Sequence, residues 1–166
     1  MLNLYLLRHA KSSWDSPNLS DFDRPLNERG KRAAPFMGEV FAKKGCALDL
    51  VVCSPAKRTR QTCDLFLQSA KLDLRVDYED GIYEANCRSL VNIVKRQDSE
   101  TKNILMIGHN PGFGELLHFL TGQREHFPTA TLARITFDFD DWLHVNNESG
   151  KFEWILRPKE LNGYNA

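Results

Sequence analysis

Apolar positions along the chain fall into solid runs of strand length separated by longer stretches of helical period. The strand predicted at Leu2 to Leu7 ends in one, "LYLL", the strand predicted at Leu48 to Cys53 ends in another, "LVVC", and Ile104 to Ile107 is a third. Runs without polar alternation suit strands buried on both faces of a parallel sheet. Leu74 to Tyr78 predicts a short strand. Leu132 to Phe139 and Phe152 to Leu156 predict two late ones, separated by a polar loop around Asn146 to Gly150. Between the runs lie the helices. Asn27 is placed to cap one that continues to about Lys44, with Gly45 as its stop. Its positions Ala33, Phe36, Met37, Val40 and Phe41 share one face, and Pro35 predicts a kink. Ser54 is expected to cap a second helix with Pro55 in its first turn. Arg88 to Arg96 predicts a third, and Asn110-Pro111 opens a fourth that ends at Gly122. This alternation predicts an α/β fold, a doubly wound and mostly parallel sheet with helices on both faces. The 166 residues are read as a single domain, 1–166.

Three apolar strands end in the same way. "LYLL" runs into Arg8-His9. "LVVC" runs into "SPAKR", with Arg58 in the first helical turn. "ILMIG" runs into His109-Asn110-Pro111. Parallel strands set their carboxyl ends along one edge of a sheet, and ligands bind there. The pattern therefore predicts a cluster of Arg8, His9, Arg58 and His109 despite their distance in sequence. Taken singly, an Arg at a strand end is a solvated charge and a His is a hydrogen-bonded structural residue. All four would have to converge by accident for those readings to hold together. Helix starts at the same edge favour anions, so the cluster suits a phosphate-sized group.

The residue types suggest the chemistry. A neutral imidazole is a nucleophile toward phosphorus, and nearby guanidinium groups disfavour its charged form. Arginine forks match phosphoryl oxygens and neutralise charge as the group is transferred. His109 offers one further hydrogen bond.

Composition narrows the field. The 22 Lys and Arg balance 22 Asp and Glu, which argues against a bulk nucleic-acid binder. No apolar stretch is long enough to span a bilayer, and no signal peptide is recognisable. Four cysteines without a CxxC pair read as reduced thiols of a cytoplasmic protein. No convincing ligand set for a metal is present, and no cofactor is expected.

The segments "LRHAKSSW", "CSPAKRTRQT" and "IGHNPG" resemble the histidine phosphatase superfamily, which includes the cofactor-dependent phosphoglycerate mutases. Together with "FDRPLNERGKRAA" they are most similar to the short SixA-type phosphohistidine phosphatases. The resemblance extends from Leu4 to about Phe139. It implies a phosphoglycerate mutase-like fold, phosphorylation of His9 during turnover, and a phosphate pocket completed by Arg8, Arg58 and His109. Ala10 stands where the family often has Gly. Asp15 stands where many members have Asn, and a carboxylate there would repel phosphate. Glu84, in "GIYEAN", lies where larger members carry an acidic proton donor; a surface Glu at a helix start is an equal reading. Ser12 is a candidate phosphate contact or a turn former, and Thr129 and Thr131 could approach the same group. Asp21, Asp23 and Arg24 are expected to shape the rim, and Trp14 to wall the pocket.

An alkoxide leaving group needs a proton, whereas the imidazole of phosphohistidine needs less help. The chain also has only a short stretch between Tyr78 and the Arg88 helix, too little to roof a small-molecule pocket. The expectation is a metal-independent phosphatase, a monomer, acting on protein phosphohistidine. A phosphatase of small phosphomonoesters and a non-catalytic phosphoprotein-binding module are the alternatives, and mutase activity is a weaker one. The sequence names neither the substrate protein nor the pathway.

Overall fold

The three solid apolar runs become three adjacent strands. The computed structural model describes residues 1–165. Its elements are β1 (Leu2–Arg8), α1 (Glu28–Lys43), β2 (Leu50–Cys53), α2 (Lys57–Ala70), β3 (Val76–Tyr78), α3 (Cys87–Lys95), β4 (Asn103–Gly108), α4 (Gly112–Thr121), β5 (Leu132–Phe137) and β6 (Lys151–Leu156). They build one six-stranded sheet in the order β3-β2-β4-β1-β5-β6. The first four strands in that order run parallel, and β5 and β6 are antiparallel additions beyond β1.

Side chains alternate across the sheet as the pleat requires. Leu2, Leu4 and Leu6 of β1 join Ile104 and Met106 of β4 on the face covered by α3 and α4. Tyr5 and Leu7 join Val51, Leu105 and Ile107 on the face covered by α1 and α2. Both faces are buried, which is why these strands read as unbroken apolar runs. Among the described residues, no helix is long and apolar enough to cross a membrane.

The Asn27 side chain accepts a hydrogen bond from the Gly30 backbone N–H and caps α1. The helix continues through Pro35 from Glu28 to Lys43. Ser54 does not cap α2. That helix begins at Lys57 after Ala56, which has no capping side chain. The Ser54 hydroxyl lies 2.8 Å from Nε2 of His109 instead. α4 starts at Gly112, and Asn110 Oδ1 receives the Gly114 N–H at 3.2 Å.

The strand order decides where the functional edge lies. β4 sits between β2 and β1, with Arg8 paired to Gly108 and Cys53 to Ile107. The three carboxyl ends are therefore neighbours at one level. α1 is held close to this edge by a missing side chain. A Cβ on Gly30 would lie 2.2 Å from the backbone oxygen of Lys11, two residues after His9. We expect Gly30→Ala to destabilise the fold by about 1–3 kcal/mol, as overpacking does. Denaturant unfolding checks this, and a change below about 0.5 kcal/mol would show that the contact yields.

Candidate active site

His9 follows β1 directly, and its backbone is held from both sides. Its N–H donates to the Gly108 carbonyl at 3.0 Å, and its carbonyl accepts from the Ala130 N–H at 3.0 Å. The same Ala130 N–H reaches the Arg8 carbonyl at 3.1 Å. Ala130 makes these bonds at φ 60, left-handed backbone that costs energy for a residue with a Cβ. The next residue is tied to α2. The Ala10 N–H donates to Thr62 Oγ1 at 3.0 Å, and that hydroxyl donates to the Arg58 carbonyl at 2.7 Å. One threonine thus couples the turn carrying His9 to the turn carrying Arg58.

The imidazole of His9 is only 6% exposed. Its Nδ1 lies 2.7 Å from the Ala10 carbonyl oxygen. A carbonyl only accepts, so the proton sits on Nδ1 and the lone pair on Nε2. Burial, chiefly, holds the ring's pKa down at about 3, against the raising effect of the Ala10 hydrogen bond. His109, Arg58 and Arg8 push it the same way as burial. The ring is neutral at physiological pH.

The expected partners surround it. The ring centroids of His9 and His109 are 5.3 Å apart. Burial, then Arg58 and Arg8, hold His109 at about 4, with Asp21 opposing. Arg8 feels burial and the charge of Arg58, both of which lower its pKa. Arg8, His9, Arg58 and His109 are therefore one electrostatic cluster. Arg8 Nε, Arg58 Nε and His109 Nδ1 are buried with no hydrogen-bond partner within the protein. Thr131 Oγ1 is a fourth such atom, and the Thr131 carbonyl accepts the Arg8 N–H at 3.0 Å. Native proteins rarely leave buried polar groups unpaired, and each such group calls for an explanation, a bound partner among them.

Asp21 organises the rim. Arg58 donates to its carbonyl at 2.7 Å and to Oδ2 at 3.1 Å. Arg24 Nε reaches Oδ1 at 3.2 Å, and the Tyr83 hydroxyl donates to Oδ2 at 2.6 Å. Partial burial would raise the pKa of Asp21, but Tyr83, Arg58 and Arg24 outweigh it and hold the carboxyl at about 2. Burial and the Asp21 bond push Tyr83 up to about 12, so its hydroxyl stays a donor. Its ring packs edge-on against His109 with centroids 5.5 Å apart. Sequence reasoning placed Asp21 at the rim without seeing it as the anchor of Arg58, and it missed Tyr83. The only signal for Tyr83 was its place beside Glu84.

The remaining candidates sit at the margin. Ser12 is buried, and its hydroxyl accepts from Arg24 Nη1 at 2.9 Å. Trp14 is 74% exposed and stacks on the Arg24 guanidinium, whose carbon lies 3.5 Å from the ring centre. Glu84 is exposed, in a turn before α3, at φ 56. Among the described residues, no three His, Cys, Asp or Glu side chains are placed to hold a metal.

Comparison with known proteins gives consistent matches. The family profile "Histidine phosphatase superfamily (branch 1)" matches residues 4–103. An uncharacterised chloroplastic protein of Arabidopsis thaliana is 30% identical over 92% of this chain and 74% of its own. A phosphohistidine phosphatase SixA homologue of Haemophilus influenzae is 26% identical over 82% of this chain and 89% of its own. A crystal structure assigned as phosphohistidine phosphatase SixA from Agrobacterium tumefaciens superposes with a TM-score of 0.82 at 28% identity, covering 95% of this chain and 98% of its own.

The folded-state pKa values of both imidazoles lie below the unfolded value of about 6.5. Their contribution to stability is therefore complete above that pH and is lost as the pH falls toward their folded values. In ring-nitrogen NMR, His9 should keep its Nδ1–H tautomer without titrating between about pH 8 and pH 5. A midpoint near 6.5, or an Nε2–H signal, would contradict the assignment.

Proposed function

The chain belongs to the histidine phosphatase superfamily, branch 1, and we propose that it removes phosphate from protein phosphohistidine through a covalent intermediate on His9. That it is a phosphatase follows from the family and its SixA-type neighbours. The observation that supports the finer reading is the set of buried nitrogens without a protein partner, the donors Arg8 Nε and Arg58 Nε together with His109 Nδ1, around a neutral His9. Such a set calls for an acceptor with several oxygens, and a phosphoryl group supplies them.

The reaction then has two displacements. The Nε2 lone pair of His9 attacks phosphorus. A P–N bond forms to His9 as the substrate's P–N bond breaks; the substrate ring, protonated on its other nitrogen, departs as neutral imidazole, and phospho-His9 keeps its own proton on Nδ1. Water next attacks the phosphorus of phospho-His9. That P–N bond breaks, inorganic phosphate leaves, and the pair returns to Nε2. Arg8 and Arg58 neutralise the equatorial oxygens in both steps, and His109 Nδ1–H donates to one of them. The Ser54 hydroxyl lies 2.8 Å from His109 Nε2; in the proposed arrangement it donates there, and the ring proton sits on Nδ1. No step uses a metal or other cofactor.

Glu84 is the proposed proton donor when the leaving group is an alkoxide. Its exposed position and the ease of expelling imidazole favour phosphohistidine over phosphate esters. A cytoplasmic site of action fits the four free cysteines, two of them buried.

The test is phosphate release, with chelator present, from a phosphohistidine protein and from an aryl phosphate. His9→Ala should lower both by about a thousandfold or more, as loss of a nucleophile does. Arg58→Ala should cost on the order of a hundredfold. Glu84→Gln should slow the ester more than the phosphohistidine substrate. Full activity in His9→Ala would overturn the mechanism. Preference for a small ester would overturn the substrate class, and phosphoprotein binding without turnover in the wild type would make the chain a binding module.

A further inference from the structure

We propose that a basic cavity bordering Arg8 is a second anion subsite, which binds a carboxylate carried by the phosphoprotein beside its phosphohistidine. The inference rests on the substrate reading above and adds what that substrate must carry. The cavity measures about 420 Å³, within the range of ligand sites, and excludes His9 from its lining. Arg8, Lys11, Arg29, Arg157 and Lys159 line it, against the single carboxylate of Glu160.

That carboxylate is already used. Arg157 Nη1 pairs with Glu160 at 3.3 Å, and its Nη2 pairs with Glu125 at 2.8 Å. Among the described residues, Lys11, Arg29 and Lys159 form no ion pair. The chain as a whole carries equal numbers of acidic and basic residues, so this wall is not a sample of a basic protein. Isolated surface lysines need no ligand. Unpaired cations gathered round a concavity raise the local concentration of anions.

The three cations reach the cavity from three parts of the fold. Lys11 follows the nucleophile, Arg29 lies in the first turn of α1, and Lys159 lies in the turn after β6. The close approach of Gly30 to the Lys11 backbone brings the first two together. Arg8 ties the cavity to the reaction, because it lines the wall and also belongs to the phosphate cluster. An occupant of the cavity and the reacting phosphate would therefore both border Arg8, as two groups of one substrate could. On a protein substrate, the oxyanion available beside a phosphohistidine is an Asp or Glu side chain.

The test compares phosphohistidine peptides flanked by Glu with the same peptides flanked by Gln, and phosphoimidazole as a small control. The triple variant Lys11→Met, Arg29→Met, Lys159→Met should raise KM for the Glu peptide about tenfold, with kcat within about twofold. The Gln peptide and phosphoimidazole should be unaffected. Rising ionic strength should erase the wild type's preference for Glu. Equal KM values for Glu and Gln peptides would overturn the inference while leaving the substrate reading intact. So would an equal rise on phosphoimidazole, which would mean that the cations act on the phosphate itself. A second arm is independent of turnover, namely anisotropy of a dye-labelled, unphosphorylated Glu peptide. If no phosphohistidine is hydrolysed but this peptide binds wild type about tenfold tighter than the triple variant, the substrate reading falls and the subsite stands.

Discussion

The hydrogen bond from His9 Nδ1 to the Ala10 carbonyl, 2.7 Å long, sets what the rest of the site can do. It fixes one tautomer, and that tautomer leaves a lone pair on Nε2. Burial and the flanking positive charges then remove the competing protonated state. Either effect alone would be insufficient. A neutral ring free to exchange tautomers would spend part of its time with the wrong nitrogen protonated. A fixed ring left exposed would be partly protonated near neutrality and would lose the free lone pair on Nε2.

The backbone around this bond exists to hold it. β1 and β4 lie side by side, so Gly108 receives the His9 N–H. Ala130 closes the other side from the segment before β5, and Thr62 links Ala10 to the Arg58 turn. The price is a set of buried polar atoms without partners. In an inert protein these would be a defect. In the proposed function they are polar groups already desolvated, and a phosphoryl group would meet them with little reorganisation. Asp21 holds Arg58 by its terminal nitrogens, which leaves Nε free.

Much of this was legible in the sequence because the strands are buried on both faces. The unbroken runs before Arg8, Ser54 and His109 located three neighbouring strand ends, and Asn27 located the start of α1. The resemblance supplied the role of His9, which strand ends alone could not. What escaped depended on contacts between distant segments. Ser54 has the sequence signature of a helix cap, but its hydroxyl is claimed by His109 from another strand end. Tyr83 and Asp21 are 62 positions apart, and neither carries a local pattern that reveals their bond. The basic cavity was equally hidden, since Lys11, Arg29 and Lys159 each read as ordinary solvated charges.

The most direct measurement is rapid-quench trapping of the enzyme during turnover, with the position of the phosphoryl group read by phosphorus NMR. The account predicts a phosphorylated His9 bearing the group on Nε2, since Nδ1 is engaged with Ala10. A group on Nδ1, on any other residue, or turnover with no phosphorylated enzyme formed would contradict it.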